Sequence, residues 1–340
     1  MNKGVLESTA ELLVSPGKGI LATDATEGTM DKRMQAVEVA PSPELRRKFR
    51  ELLLTTKDAS EFISGVILND EIIRQKTSGG IDFAKLVENQ GMIPGIKVDK
   101  KANDMANFPG EKIAEGLDGL RDRFIEYKNM GARFAKWRAV ITIGEGIPTD
   151  VCIESNAESL ARYAALAQEA DIVPIVEPEV LMEGNHGIGR CEEVTKKVLK
   201  SVFKKLTDHR IVLAGMLLKP NVVHPGKDSQ EKADNEVVAE KTLKVLHETV
   251  PEEVPGILFL SGGDSAPEMT QHLDLMNEKG SHPWELAFSF ERALEGPSLE
   301  IWKGNDANWE AAQKEFYKRA RLNSLARTGA YTKEMEAENG

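Results

Sequence analysis

The sequence predicts an α/β fold: a closed (β/α)8 TIM barrel with an extra N-terminal helix and a loose C-terminal tail. Three observations predict it. Eight short apolar runs recur about 30 to 45 residues apart, mostly flanked by Gly or Pro. Charged amphipathic stretches separate them, as strand–helix alternation in a parallel barrel requires. Nearly every run ends on a polar or ionisable residue, and in such barrels the site lies at the C-terminal strand ends.

In chain order the runs are GILATD (19–24), GVILND (65–70), GIKVD (95–99), FAKWRAVI (134–141), VPIVEPE (173–179), LAGMLLKP (213–220), GILFLSGG (256–263) and LAFSFER (286–292). The intervening stretches read as helices. SLARYAALAQEA (159–170) and CEEVTKKVLKSVFKKL (191–206) place apolar residues at three- and four-residue steps. KKANDMANFPGEKIAEGLDGL (100–120) is polar and predicts a long loop leading into a helix. The tail YTKEMEAENG (331–340) is polar and predicts a loose end. No linker divides the chain, so residues 1–340 read as one domain. An open doubly wound sheet is the alternative, but no GxGxxG follows the first run.

Composition narrows the function. The net charge of −11 disfavours nonspecific nucleic-acid binding, so any anion must meet a local cluster of cations. No apolar run approaches the roughly 18 residues of a membrane span. The start, MNKGVLESTAELL, has neither a signal-peptide core nor an Arg-rich transit pattern, so the expected location is cytoplasmic. Cys152 and Cys191 are too few for a disulfide framework and read as reduced thiols. Six scattered histidines and the absence of HExxH, CxxC or a P-loop argue against a metal site or a nucleotide cradle.

The strand ends carry Asp24, Asn69, Lys97, Lys136 with Arg138, Glu177 with Glu179, Lys219, Ser261 and Arg292. Residues two apart share a face of a strand, so Lys136 and Arg138 project together, as do Glu177 and Glu179, while Trp137 faces the other way. Any one strand-end charge is ordinarily just solvated. Lys136 lies inside an apolar run and needs a carboxylate partner, for which Asp24 and Glu177 are available. SGG at 261–263 follows the seventh run, where barrels often bind phosphate through backbone N–H groups, although Gly also serves plain turns. Cations, a glycine loop and carboxylates together point to a phosphorylated substrate undergoing proton transfers. Lysine itself is protonated and inert at neutral pH. Burial beside another cation lowers its pKa to about 7 to 8, and Lys136 next to Lys219 would do this. The free amine then attacks a ketone, and the imine is an electron sink for breaking a C–C bond without a metal.

The motifs GKGILATD, GIKVDK, GLDGL, AKWR, VPIVEPE, LLKP, FLSGG and RAL occur in this order from Pro16 to Tyr331. Together they resemble the class I, Schiff-base fructose-1,6-bisphosphate aldolases. The resemblance implies that Lys219 forms the Schiff base and that Glu177 acts as general acid and base. It implies that Glu179 supports Lys219, that Lys136 stabilises charge, and that Asp24 helps deprotonate the hydroxyl on the fourth carbon. Ser261, Gly262 and Arg292 would hold the ketone-side phosphate. Lys97, Arg138, Thr26, Thr29 and Arg33 would serve the other. No metal or cofactor is implied. The partners are small-molecule sugar phosphates and further copies of the chain, a homotetramer by resemblance.

Three departures from the family pattern bear on this site. Ala25 replaces a glutamate, and Glu291 replaces the glycine before Arg292, where it would pair with Arg292 or repel phosphate. Tyr331 lies too early to match the tail tyrosine of the animal enzymes. Two other readings stay open on the residues alone: a metal-dependent phosphosugar enzyme on the same barrel, and a non-catalytic sugar-phosphate-binding protein.

Overall fold

Eight parallel strands close on themselves in the computed structural model, which describes residues 1–337. In chain order the strands are β1 (Gly19–Ala22), β2 (Ile63–Leu68), β3 (Ile93–Lys97), β4 (Lys101–Asp104), β5 (Lys112–Glu115), β6 (Phe134–Ile141), β7 (Val173–Val180), β8 (Leu217–Leu218), β9 (Gly256–Phe259) and β10 (Glu285–Phe290). The barrel runs β1-β2-β3-β6-β7-β8-β9-β10 and back to β1, while β4 and β5 form a separate antiparallel hairpin. The eight predicted runs are thus the eight barrel strands.

The differences are local. Residues 100–120 hold this hairpin, with Lys101 opposite Glu115 and Asp104 opposite Lys112, and not an unstructured loop. The helix expected after it spans Leu120–Asn129. The hairpin alternates no apolar residues, so the sequence gives no strand signal there; one ladder of backbone hydrogen bonds and a Lys112–Asp104 ion pair hold it. The segment after Tyr331 is docked as far as it is described. Tyr331 is buried, its hydroxyl donates to Glu336, and Glu336 pairs with Arg319 beneath it. The polar composition of the tail conceals these ion pairs. Residues 338–340 of the expected loose tail lie outside the described residues.

Two layers of apolar packing position the site. Outward-facing strand residues such as Trp137, Val176 and Leu218 meet the surrounding helices. Trp137 stacks on Tyr163 of the helix Asp150–Glu169 at 5.6 Å. Inward-facing residues near the strand starts, Ile20, Phe134, Val173, Leu217 and Leu258, fill the barrel interior. The helix Lys3–Leu13 plugs the mouth below them with Leu6, Ala10 and Leu13, an i, i+4, i+7 stripe. Each buried leucine of this stripe contributes about 2 kcal/mol. Gly95 makes room for this plug: a Cβ there would stand 2.3 Å from the Phe134 ring. A solid apolar floor closes the barrel at one end, so polar side chains further along the same strands collect at the other.

Candidate active site

Strand alternation builds the site directly above this floor. Phe134, Lys136 and Arg138 share the inner face of β6, and Ile175, Glu177 and Glu179 that of β7. The register sets Lys97 beside Lys136 and Arg138 beside Glu177. β8 is only two residues long, so Lys219 lies one residue beyond the strand and not on its last position. Its N–H still donates to Val176 O at 2.8 Å, which fixes the lysine at the rim. Asp24 follows β1 by two residues. Asn69 donates to Ala25 O at 2.8 Å and caps the turn Asp70–Ile73, so it shapes the β1 loop and does not enter the main cavity.

The centre is a buried chain of alternating charge. Lys136 Nζ lies 2.7 Å from Asp24 Oδ2 and 3.1 Å from Glu177 Oε2. Glu177 Oε1 lies 3.2 Å from Lys219 Nζ. Asp24, Lys136, Glu177 and Lys219 are each at most 4% exposed. Burial opposes ionisation of Asp24 and Glu177, but the Lys136 and Lys219 charges more than offset it and hold both carboxyls below their ordinary range. Burial likewise opposes the Lys136 charge, and Asp24 and Glu177 outweigh it, so Lys136 stays an ammonium. Glu177 Oε2 makes no aligned hydrogen bond despite its contact with Lys136. Glu177 links the two lysines, through Oε2 to Lys136 and through Oε1 to Lys219.

Around it lies a cavity of about 820 Å³, lined by all thirteen residues to which the resemblance gives a catalytic or phosphate-binding role. Nine cationic and five acidic side chains line it, so this part of a chain of net charge −11 is locally positive. Ser261 and Gly262 form one wall; Gly262 has φ +55 and a Cβ there would lie 2.8 Å from Met182 Sδ, so only glycine fits the turn. Arg292 begins the helix Arg292–Trp302 beside them. Thr26 and Thr29, their hydroxyls 3.0 Å apart, stand at the start of the helix Glu27–Ala36 on the opposite wall.

Several partners differ from expectation. Glu179 binds Arg138 Nε, not Lys219. Arg33 lines the cavity with its guanidinium paired to Glu291 and Glu295, each at 2.9 Å. Glu291 therefore pairs across the cavity with Arg33, and not with its neighbour Arg292. Asp99 was not singled out from the sequence. It holds Lys97 Nζ at 2.6 Å and accepts the Arg138 N–H at 3.2 Å. Its position two residues after Lys97 was the available signal, since the two can share a face. Lys100 and Lys101 of the hairpin also reach the cavity, which the loop reading of 100–120 hid.

Among the described residues no group of three or more His, Cys, Asp or Glu could hold a metal ion, and no helix is long and apolar enough to cross a membrane.

The chain matches the family model for fructose-bisphosphate aldolase class-I over residues 5–340. It is 51% identical to a probable fructose-bisphosphate aldolase class 1 of Xanthomonas campestris, over 96% of this chain and 98% of that protein. It is 46% identical to cytosolic fructose-bisphosphate aldolase 4 of Arabidopsis thaliana, over 98% and 86% of the two chains. Its fold matches a solved fructose-bisphosphate aldolase of Plasmodium falciparum, in complex with TRAP and a small-molecule inhibitor. The TM-score there is 0.95 at 44% identity, covering 97% of this chain and 95% of that one.

Proposed function

This chain belongs to the class I fructose-bisphosphate aldolase family, and from that premise we propose the residue roles in its reaction. The reaction is the reversible cleavage of fructose 1,6-bisphosphate into dihydroxyacetone phosphate and glyceraldehyde 3-phosphate, through a lysine Schiff base. The observation that carries the assignment is the Lys136–Glu177–Lys219 chain, in which one carboxylate touches two buried lysines.

Lys219 is the nucleophile. Its transient deprotonation by Glu177, 3.2 Å away, gives the amine that attacks the ketone carbon. The carbinolamine hydroxyl then takes a proton from Glu177 and leaves as water, giving the iminium. Asp24, or the Asp24–Lys136 pair, accepts the proton of the fourth-carbon hydroxyl. The electrons of the C3–C4 bond then flow into the iminium, giving the enamine and releasing the aldehyde. Protonation of the enamine at C3 and hydrolysis of the imine return free Lys219. Lys136 keeps Asp24 and Glu177 ionised between steps and stabilises negative charge as it develops. Arg138, fixed by Glu179, and Lys97, fixed by Asp99, present cations to the phosphate of the aldehyde half, together with Thr26 and Thr29. Ser261, Gly262 and Arg292 take the ketone-side phosphate. We place the protein in the cytoplasm, the compartment in the Arabidopsis relative's name, and expect a homo-oligomer, a tetramer by family resemblance.

The deciding experiment is borohydride reduction with dihydroxyacetone phosphate and EDTA present, followed by peptide mapping. A reduced adduct on Lys219 is expected. Cleavage activity without any lysine adduct would reject the imine route, and activity lost to EDTA would favour a metal-dependent enzyme. Binding with neither adduct nor turnover would favour a non-catalytic sugar-phosphate binder.

Glu291 sets a second expectation. Glu291→Gln weakens one of the two ion pairs that tie Arg33 down and removes a negative charge from the cavity wall. KM for fructose bisphosphate should fall about fivefold with kcat little changed, a change on the order of 1 kcal/mol in anion binding. An unchanged KM in steady-state rates would show that Glu291 does not oppose the substrate's phosphates.

A further inference from the structure

Behind the Ser261–Gly263 turn lies a set of ionisable groups that the chemistry above does not use. Asp264 follows the turn, and its N–H donates to Ser261 O at 3.1 Å. Its carboxyl faces two imidazoles: His272 Nδ1 is 3.9 Å from Oδ2, and His224 Nε2 is 4.0 Å from Oδ1. His272, on the helix Ala266–Glu278, is 1% exposed. Its Nε2 meets Asn235 Oδ1 at 3.0 Å, while the Asn235 amide nitrogen donates to Gln271. Asn235 Oδ1 can only accept, so His272 carries its hydrogen on Nε2 and a lone pair on Nδ1. Both His272 Nδ1 and Asp264 Oδ2 are buried without a hydrogen-bond partner. Two buried acceptors facing each other are costly unless one of them carries a proton.

The other charged groups facing this carboxyl are Lys227 on the loop after β8, Glu268 on the same helix as His272, and Arg292. His186 lies against His224 in turn. Burial pushes the Asp264 carboxyl above its ordinary range, and burial pushes His272 down to about 4. Both shifts favour the same arrangement, with the proton on Asp264. The turn itself is flanked by cations: a Cβ on Gly263 would lie 2.5 Å from Lys227 Nζ and 3.3 Å from Arg292 Nη2. An ionised Asp264 would compete with a bound anion for these two cations.

We infer that Asp264 is a positioning residue whose proton, held toward His272, keeps the Ser261–Gly263 turn free of a competing negative charge. This rests on the reading that the turn holds the ketone-side phosphate. Because Asp264 loses its proton as pH rises, anion affinity at the turn falls with rising pH.

The test uses sulfate, a dianion at every pH used, as a competitive inhibitor of fructose bisphosphate cleavage by the full-length enzyme. In the wild type the inhibition constant should rise about tenfold as pH is raised through the titration of Asp264, the effect of one added charge near the anion. Asp264→Asn should lose most of that rise and keep the tight low-pH value throughout, with kcat preserved. His272→Asn sets an amide donor against the carboxyl and favours its ionised form, so inhibition should already be weak at low pH. Arg292→Ala tests whether the anion is held at this turn, because it removes a cation that flanks it. If it leaves sulfate inhibition unchanged, the anion is not held there, and both the phosphate placement and the role of Asp264 fall. If Arg292→Ala weakens inhibition but Asp264→Asn retains the wild-type slope, the role of Asp264 alone falls. Should Asp264→Asn fail to fold, a wild-type profile in His272→Asn would overturn it equally.

Discussion

Lys219→Met is expected to lower kcat for fructose bisphosphate cleavage by about 10⁵-fold or more, because removing the nucleophile removes the whole covalent route. The fold should tolerate the change. Glu177 keeps Lys136 at 3.1 Å when Lys219 is gone, so no buried carboxylate is stranded. The phosphate-binding walls do not depend on the lysine either. Dissociation constants for dihydroxyacetone phosphate, measured by calorimetry, should therefore change far less than turnover. The borohydride adduct should disappear from this peptide. A residual rate within about a hundredfold of the wild type would mean that another group forms the imine.

Lys136→Met should be the most damaging change to the fold and the site together. It leaves Asp24 and Glu177, both nearly fully buried, without the ammonium that touches them both. Breaking a buried pair in this way costs about 3 to 5 kcal/mol. The catalytic loss should be about 10³-fold in kcat, since both carboxyls are then pushed toward their neutral forms and developing charge loses its ammonium.

The stability loss carries a definite pH signature. In the wild type both carboxyls titrate below their unfolded values. Their ionisation therefore stabilises the fold above about pH 4, and that contribution is lost as pH falls through the folded values. In the variant burial dominates, the carboxyls titrate above their unfolded values, and the destabilisation grows as pH rises past about pH 4. The gap between wild type and variant in urea unfolding should be widest at neutral pH and narrow in acid. A gap independent of pH would show that Lys136 contributes packing and not charge.

The interior of this barrel explains why its site could be read so far from sequence. Apolar runs with period-two alternation fix which face of β6 carries Lys136 and Arg138, and no folding detail can separate them. LLKP places Lys219 within one residue of a strand end by the same logic. Pairing between strands is different. The sequence named Asp24 and Glu177 as carboxylates for Lys136, but it did not say that Glu179 would turn to Arg138, because Glu177 and Glu179 lie on one face of β7. That choice follows from the β6–β7 register, which sets Arg138 beside Glu177 and sends Arg138 Nε to Glu179. The hairpin at 101–115 was illegible because its hydrogen bonds lie in the backbone and its strands, KAND and KIAE, are short and carry few apolar residues. The docking of Tyr331 and Glu336 was hidden because their partner Arg319 reads as one more charged residue on a helix.

By itself the sequence determined the eight strands, their inward faces and the polar residues that each carries to the same rim. Those depend on local periodicity, which is written residue by residue. Only the tertiary structure decided several meetings there: Glu179 with Arg138, Arg33 with Glu291 and Glu295, and Asp264 with His272. Such pairings join residues as much as 262 positions apart. They are set by barrel closure and strand register, which are properties of the whole packed chain and leave no local pattern behind.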